Sequence, residues 1–328
     1  MQAFEYAAPT SVKEALGMLS ASWGETDILA GGTDLLSLMK QRVHTPKRVV
    51  GLKDVKELKG ISKSGGGWQI GATTTLAELL GNADVKKAYP GIIQAIDGIT
   101  SPQMRAMGTV GGDLLQRPRC WYFRNGYGLL GQDSSGKSLI PGGENEFHAI
   151  LANKGPAYFV NASSLAPVLA ALGAKAKISG SGGDREVEIE KLYQIPGSAN
   201  DREITLKPNE ILTAIMIPAS GGMISSTYEV RQRMLMDWPL AAAAVSLKMA
   251  GGKVESARIV LGHVAPTPWR SAEAERALQG KAISEDVAME AGKAAVAMAT
   301  PLSMNKHKVQ LARVAVKRAI LRASGKEV

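Results

Sequence analysis

The 328-residue sequence contains a single cysteine, Cys120. That excludes an intrachain disulfide framework, an all-cysteine zinc site and a self-contained iron-sulfur cluster, since each needs several thiolates, and it fits a reducing compartment. Aromatic residues make up only 5%. Although the formal net charge is +9, the basic residues are scattered and lack an interleaved stacking platform, so the charge points to solubility or an acidic or phosphate-rich partner rather than to nucleic acid. No segment approaches the roughly 20 uninterrupted apolar residues needed to cross a bilayer. The opening residues, Met1 to Tyr6, have neither a basic start nor an apolar run, and a soluble chain without a membrane span is expected. Histidine is scarce as well: His44, His148, His263 and His307 lie far apart, show no metal-ligand spacing and read as structural or exposed.

What is present is 45% hydrophobic content in a length at which two domains are the default. Ser11 followed by Glu14 reads as a capping box opening a helical face of Ala15, Leu16 and Leu19. Asp27 to Ala30 and Arg48 to Leu52 read as strands, and Thr75 with Glu78 caps a second helix. The same grammar continues with a strand over Ala157 to Val160, a helix over Ser164 to Leu172 and a strand over Ala174 to Ile178, closed by the turn of residues 179–184. After the breaker cluster Pro218 to Gly222, Ala242 to Met249 and Ala257 to Val264 flank Gly251-Gly252 as a hairpin. Three helices follow, Ser271 to Leu278, Ser284 to Ala299 and Asn305 to Arg322. Their basic stripe of Lys306, Lys308, Arg313, Lys317 and Arg318 reads as a solvated face. Trp269-Arg270 suits either a partner-contact patch or a packed domain corner. The architecture is α+β, with a boundary near residue 220.

Two familiar spellings share one loop. Gly131 to Ser138 satisfies the P-loop pattern and Gly126 to Gly131 the dinucleotide fingerprint. Glycines interrupt the approach and Pro141-Gly142-Gly143 stops any helix, so a surface loop is the better reading and a P-loop nucleotide-binding protein the weaker one. Leu29-Ala30-Gly31-Gly32-Thr33-Asp34-Leu35 is a better phosphate site. There a buried strand ends in paired glycines and enters a helix, which lets the main chain approach a diphosphate with successive amides; a tight turn capped by Thr33 or Asp34 is the plainer alternative. A second segment, Ile99 to Leu114, again joins small hydroxyl residues to a Gly-Gly pair and would suit a flat ring and ribityl chain. A third, Ile70 to Leu76, is expected only to buttress the others.

With these segments in view, the sequence resembles the FAD subunits of the xanthine dehydrogenase, aldehyde oxidoreductase and carbon monoxide dehydrogenase group of molybdenum hydroxylases. The resemblance runs in order through AGGTDLL, IGATTTLAEL, MGTVGGDLL, LKPNEIL and LGHVAPTPWR, across nearly the whole chain. It implies a two-lobed FAD domain of the p-cresol methylhydroxylase type over residues 1–220, with lobes of about 1–55 and 56–220. Residues 221–328 would form a small C-terminal domain of antiparallel sheet plus helices, as in carbon monoxide dehydrogenase flavoproteins. The implied cofactor contacts are Leu29, Ala30, Gly31, Gly32, Thr33, Asp34 and Leu35 at the diphosphate. At the second loop they are Thr109, Gly111, Gly112, Asp113 and Leu114, with Ser101 and Gln103 near the ring and Ile211 or Leu212 as the apolar contact.

The implied activity is electron transfer: from a large molybdenum-cofactor subunit through 2Fe-2S clusters on a small subunit to FAD here, and then to NAD, a quinone, oxygen or another acceptor. No catalytic acid or base is expected in the chain. A stand-alone flavin-dependent reductase is the alternative. Location is expected to be cytoplasmic, with export as part of a complex left open. Departures from the family pattern are visible. Ser163-Ser164 stands where many members have Ser-Asp, and Glu229 stands where a lysine is common, leaving Arg231 or Arg233 as substitutes. Some relatives sharing the run Leu114 to Cys120 hold a 4Fe-4S cluster in the following loop. Residues 121–148 contain no cysteine, so no 4Fe-4S cluster is expected and Cys120 reads as a plain buried thiol.

Overall fold

The computed structural model describes residues 1–233 and 237–326. Short parallel strands open the chain: β1 (Glu5–Ala7), β2 (Thr26–Leu29) and β3 (Arg48–Gly51), in the order β1-β3-β2. Parallel neighbours need crossovers, which α1 (Val12–Gly17) and α2 (Leu35–Lys40) supply. Ser11 caps α1 through the Glu14 amide at 3.2 Å. The Glu14 carboxylate reaches Thr10 instead of Ser11, so only half of the expected capping box forms.

The second lobe is a five-stranded antiparallel sheet of β4 (Ile61–Ser64), β5 (Gly67–Gly71), β6 (Lys175–Gly180), β7 (Gly183–Glu188) and β8 (Glu210–Ile217), in the order β4-β5-β8-β6-β7. Its helices are α3 (Leu76–Leu80), α4 (Ala83–Ala88), α5 (Pro90–Asp97), α6 (Pro102–Met107), α7 (Val110–Leu115), α8 (Trp121–Arg124) and α9 (Leu165–Ala171). At Thr75 both halves of the capping box are present. Strand β8 ties the lobes together. Ile211 packs with Ala15, Val50 and Leu52 of the first lobe, while Leu212, on the opposite face, packs with Leu114 and Ile178 of the second.

The C-terminal part is a sheet of β9 (Ile224–Val230), β10 (Ala241–Ala250), β11 (Lys253–Gly262) and β12 (Trp269–Arg270), ordered β12-β11-β10-β9, with α10 (Ala272–Leu278), α11 (Glu285–Ala295) and α12 (His307–Ala323). The β10–β11 turn uses Gly251 and Gly252 at φ 54° and 75°, values that suit glycine. Both faces of this sheet are buried: Ala244 and Val260 join the core of the second lobe, and Ala243, Val245 and Leu261 join the core under α12. Burial on both faces accounts for the continuous run of small apolar residues in β10.

Two further expectations fail. Residues 157–160 form no strand; they run through a small core where Ala157 and Phe159 pack with Leu38, Cys120 and Ile140. Hydrophobicity there reflects burial without a ladder. Lys308 is not on a solvated face but 1% exposed, because it lies in helical register with the buried Ala312, Ala315 and Ala319. Trp269 packs against the C-terminal core and Arg270 pairs with Glu275, so this corner is packed. The segment 145–153 also crosses to this part: Asn145 donates to Ser303 at 2.9 Å and Asn153 to the Thr300 carbonyl at 2.8 Å.

Candidate cofactor cleft

Where β2 ends, the chain turns through Ala30 to Asp34 into α2, with Gly32 at φ 74°. Gly31 meets the second glycine segment directly, since a Cβ there would lie 1.7 Å from the Met107 carbonyl oxygen. The amides of Gly31, Gly32, Thr33 and Asp34 donate to no protein acceptor among the described residues. They form a run of available donors at the mouth of a cleft.

The corresponding amides of the second corner are already used. Val110 donates to the Thr74 carbonyl at 2.9 Å, Gly111 to the Ala72 carbonyl at 2.8 Å and Gly112 to Thr109 Oγ1 at 3.0 Å. The Ala72–Thr75 segment thus buttresses α7. Gly111 is needed for this approach, because its Cβ would sit 3.0 Å from Ala72. The first corner offers hydrogen bonds, and the second offers a close, flat wall.

Between them lies a cleft with about 1100 Å³ of unfilled space, open to solvent, which Ala30 to Leu35, Thr109, Gly111, Gly112, Ile211 and Leu212 all line. A smaller cleft of about 410 Å³ continues from Thr33, Asp34, Thr109 and Gly112 toward Ile99, Met104, Asp113 and Trp238. The remaining expected contacts stand back from both. Leu29 ends β2, Leu114 is buried in the second-lobe core, and Ser101 caps α6 through the Met104 amide while donating to Gln103.

Asp34 and Asp113 are engaged within the protein. Asp34 does not cap α2; it accepts from Arg124 at 2.8 Å, Arg119 at 3.0 Å and the Arg117 amide at 2.8 Å, and so pins the residue 117–124 segment to the first lobe. Burial lowers Arg119 to about 10, a drop that Asp34 opposes. Asp113 accepts from the Ser163 hydroxyl and from the Ser164 and Leu165 amides, capping α9 from another helix. Burial pushes its carboxyl up, and these hydrogen bonds act against the rise.

Sequence patterns did not single out the outer end of the large cleft. Arg202 lies over the Trp23 ring at 4.3 Å, and His44 is held between Asp27 and Arg117, both at 3.0 Å. Arg117 also pairs with Glu203. Glu229, at the position where a lysine was anticipated, is buried and paired with Arg231, and its carboxyl is pushed up by burial. Arg233 is exposed. The P-loop spelling forms an exposed turn in which Asp133 accepts from the amides of Ser135 and Lys137. Those donors are therefore spent, and neither a strand nor a helix flanks the turn. Cys120 is buried, with Sγ 3.2 Å from His148 Nε2.

Residues 2–220 match the FAD binding domain in molybdopterin dehydrogenase, and residues 226–323 match the CO dehydrogenase flavoprotein C-terminal domain. The chain is 31% identical to the carbon monoxide dehydrogenase medium chain of Afipia carboxidovorans, over 98% of this chain and 97% of the relative. It is 28% identical to the aldehyde oxidoreductase FAD-binding subunit of Escherichia coli, over 85% and 86%. Among solved structures it is similar to carbon monoxide dehydrogenase from Hydrogenophaga pseudoflava, with a TM-score of 0.77 at 28% identity, covering 99% of this chain and 98% of that one.

Proposed function

Because the chain belongs to the FAD-binding medium subunits of the molybdopterin hydroxylases, we propose that it holds FAD between its two N-terminal lobes and relays electrons through it. The observation that carries this reading is the meeting of the two glycine corners, with four acceptor-free amides on one side and the close-packed Gly111-Gly112 backbone on the other. The residues fit the group. The amides of Gly31 to Asp34 would take the diphosphate, Thr109 with Gly111 and Gly112 would face the ribityl and ring portion, and Ile211 with Leu212 would give apolar contact. Leu29, Asp34, Asp113 and Leu114 would shape the site from behind, with Ser101 and Gln103 at its edge.

FAD, when bound, supplies a carrier that can exchange one or two electrons. The protein's part is to hold it, exclude water from one face and fix its distance from its partners. In this proposal residues 1–220 form the cofactor unit, in lobes of about 1–55 and 56–220, and residues 221–328 form the second unit. Electrons arrive from 2Fe-2S clusters on a small partner subunit, which receive them from a large molybdenum-cofactor subunit. They leave to NAD, a quinone, oxygen or another carrier, in a cytoplasmic or jointly exported complex.

The test is direct. The full chain, mixed with FAD and desalted, is expected to retain the two visible absorbance bands of bound flavin, with flavin fluorescence changed on binding. A colourless desalted chain whose titration shows no binding would refute the reading.

A further inference from the structure

A second cavity, open to solvent and with about 880 Å³ of unfilled space, shares Arg119 and Trp238 with the smaller cleft described above. Its walls are aromatic: Trp121 and Phe147 lie parallel with centroids 6.0 Å apart, and Phe159 is buried beside them. Lys308 lines it, with Nζ donating to the carbonyls of Phe147, His148 and His263 at 3.1, 3.0 and 2.9 Å. Those contacts use all three ammonium donors but bring no negative charge. Among the described residues no carboxylate lies within ion-pair distance of Lys308, and Asp237, which lines the same cavity, does not reach it.

Two imidazoles complete the site. His263, 2% exposed and at φ 60°, lines the cavity with Nε2 unpartnered, and His148, also 2% exposed, has Nδ1 unpartnered. Burial brings them down to about 3 and about 4, so both are neutral at ordinary pH and each can donate one N–H. A buried lysine without a counter-ion, beside unused ring nitrogens and flat aromatic walls, is complementary to an anionic aromatic molecule.

We infer that this cavity binds a small aromatic acid, its ring against Trp121 and Phe147 and its carboxylate toward Lys308 and the His263 ring. The site stands independently of the flavin assignment. Through Arg119 and Trp238, however, its occupant would border the smaller cleft, which reaches Thr109 and Gly112. Since burial lowers Lys308 to about 7, an arriving carboxylate would favour the charged ammonium and draw a proton from solution above that pH.

The experiment titrates benzoate, and benzamide as its neutral counterpart, into the full chain with and without FAD, following tryptophan fluorescence and heat. Benzoate is expected to bind with a Kd of about 1 mM or tighter, and benzamide at least about tenfold more weakly. Heats measured at about pH 8 in buffers of different ionisation enthalpy should show proton uptake with benzoate. Val160→Trp and Ala162→Leu, both filling the cavity, should abolish benzoate binding while FAD titration and melting temperature stay as in the parent. Equal affinity for benzamide, binding that survives both folded variants, or no benzoate binding to the parent would overturn the inference. Failure of FAD to bind would refute the flavin reading alone, because the benzoate titration is read without it.

Discussion

A methyl group at position 31 would collide with the Met107 carbonyl at 1.7 Å. Gly31→Ala should therefore push the lobes apart, costing roughly 2 kcal/mol or more in urea unfolding and weakening FAD retention by more than tenfold. A parent-like Kd and stability would contradict this. That glycine was legible in the sequence because paired glycines after a strand announce a close backbone approach. Lys308 was not, since a lysine among other basic residues looks solvated. Only its spacing from Ala312, Ala315 and Ala319 could have placed it inside. The buried His148 and His263 carry a pH consequence. Their ordinary value is 6.5, and in the fold they titrate at about 4 and about 3, so the native state binds fewer protons than the unfolded chain over that span. The histidine contribution should be complete above 6.5 and fall away as pH drops toward 4, by up to a few kcal/mol on the order-of-magnitude linkage. Lys308 adds the same sign higher up, its cost easing as pH rises from about 7 to 10.5. Melting temperatures across pH should rise accordingly, with His263→Gln flattening the acid limb; a flat parent profile would refute the assignment.

At the scale of elements, caps and turns were the most legible features, because a few local residues determine them. The Thr75–Glu78 box formed as read, and Thr75→Ala should cost about 1 kcal/mol by chemical denaturation. The cap of α9 was illegible. Its sequence shows Ser163-Ser164 and no acid, and the carboxylate that serves it, Asp113, comes from 50 residues away. Asp113→Asn should destabilise the chain by about 1–3 kcal/mol, since a charge-assisted contact to buried amides is lost. If the change falls within measurement error, Asp113 is not the cap. The 157–160 segment shows the opposite difficulty, because burial in a small core produces the composition of a strand without a neighbour to pair with. The P-loop spelling lacks the flanking strand and helix that its phosphate chemistry needs. Lys137→Ala should change stability by less than about 0.5 kcal/mol and leave FAD affinity unaltered.

For the molecule as a whole, cofactor and stability are linked. FAD at about 100 times its Kd should stabilise the fold by about 2.7 kcal/mol, seen as a rise of several degrees in melting temperature. FMN, without the adenylate half, should give a smaller rise, because the outer cleft at Trp23 and Arg202 would go unfilled. The ordered segments made the family legible over nearly the full chain. The side-chain contacts that hold the lobes together were not legible, because they are tertiary, such as those of Asp34 with three arginine-bearing positions. Strand β8 adds a constraint on rearrangement. Adjacent residues Ile211 and Leu212 serve opposite interiors, so neither lobe owns the strand and neither is complete without it. The first lobe cannot be excised near residue 55 as a portable module, nor exchanged between homologues by a single crossover. A graft that succeeds must bring its cognate β8 along, and divergence on the two sides of that strand should proceed together.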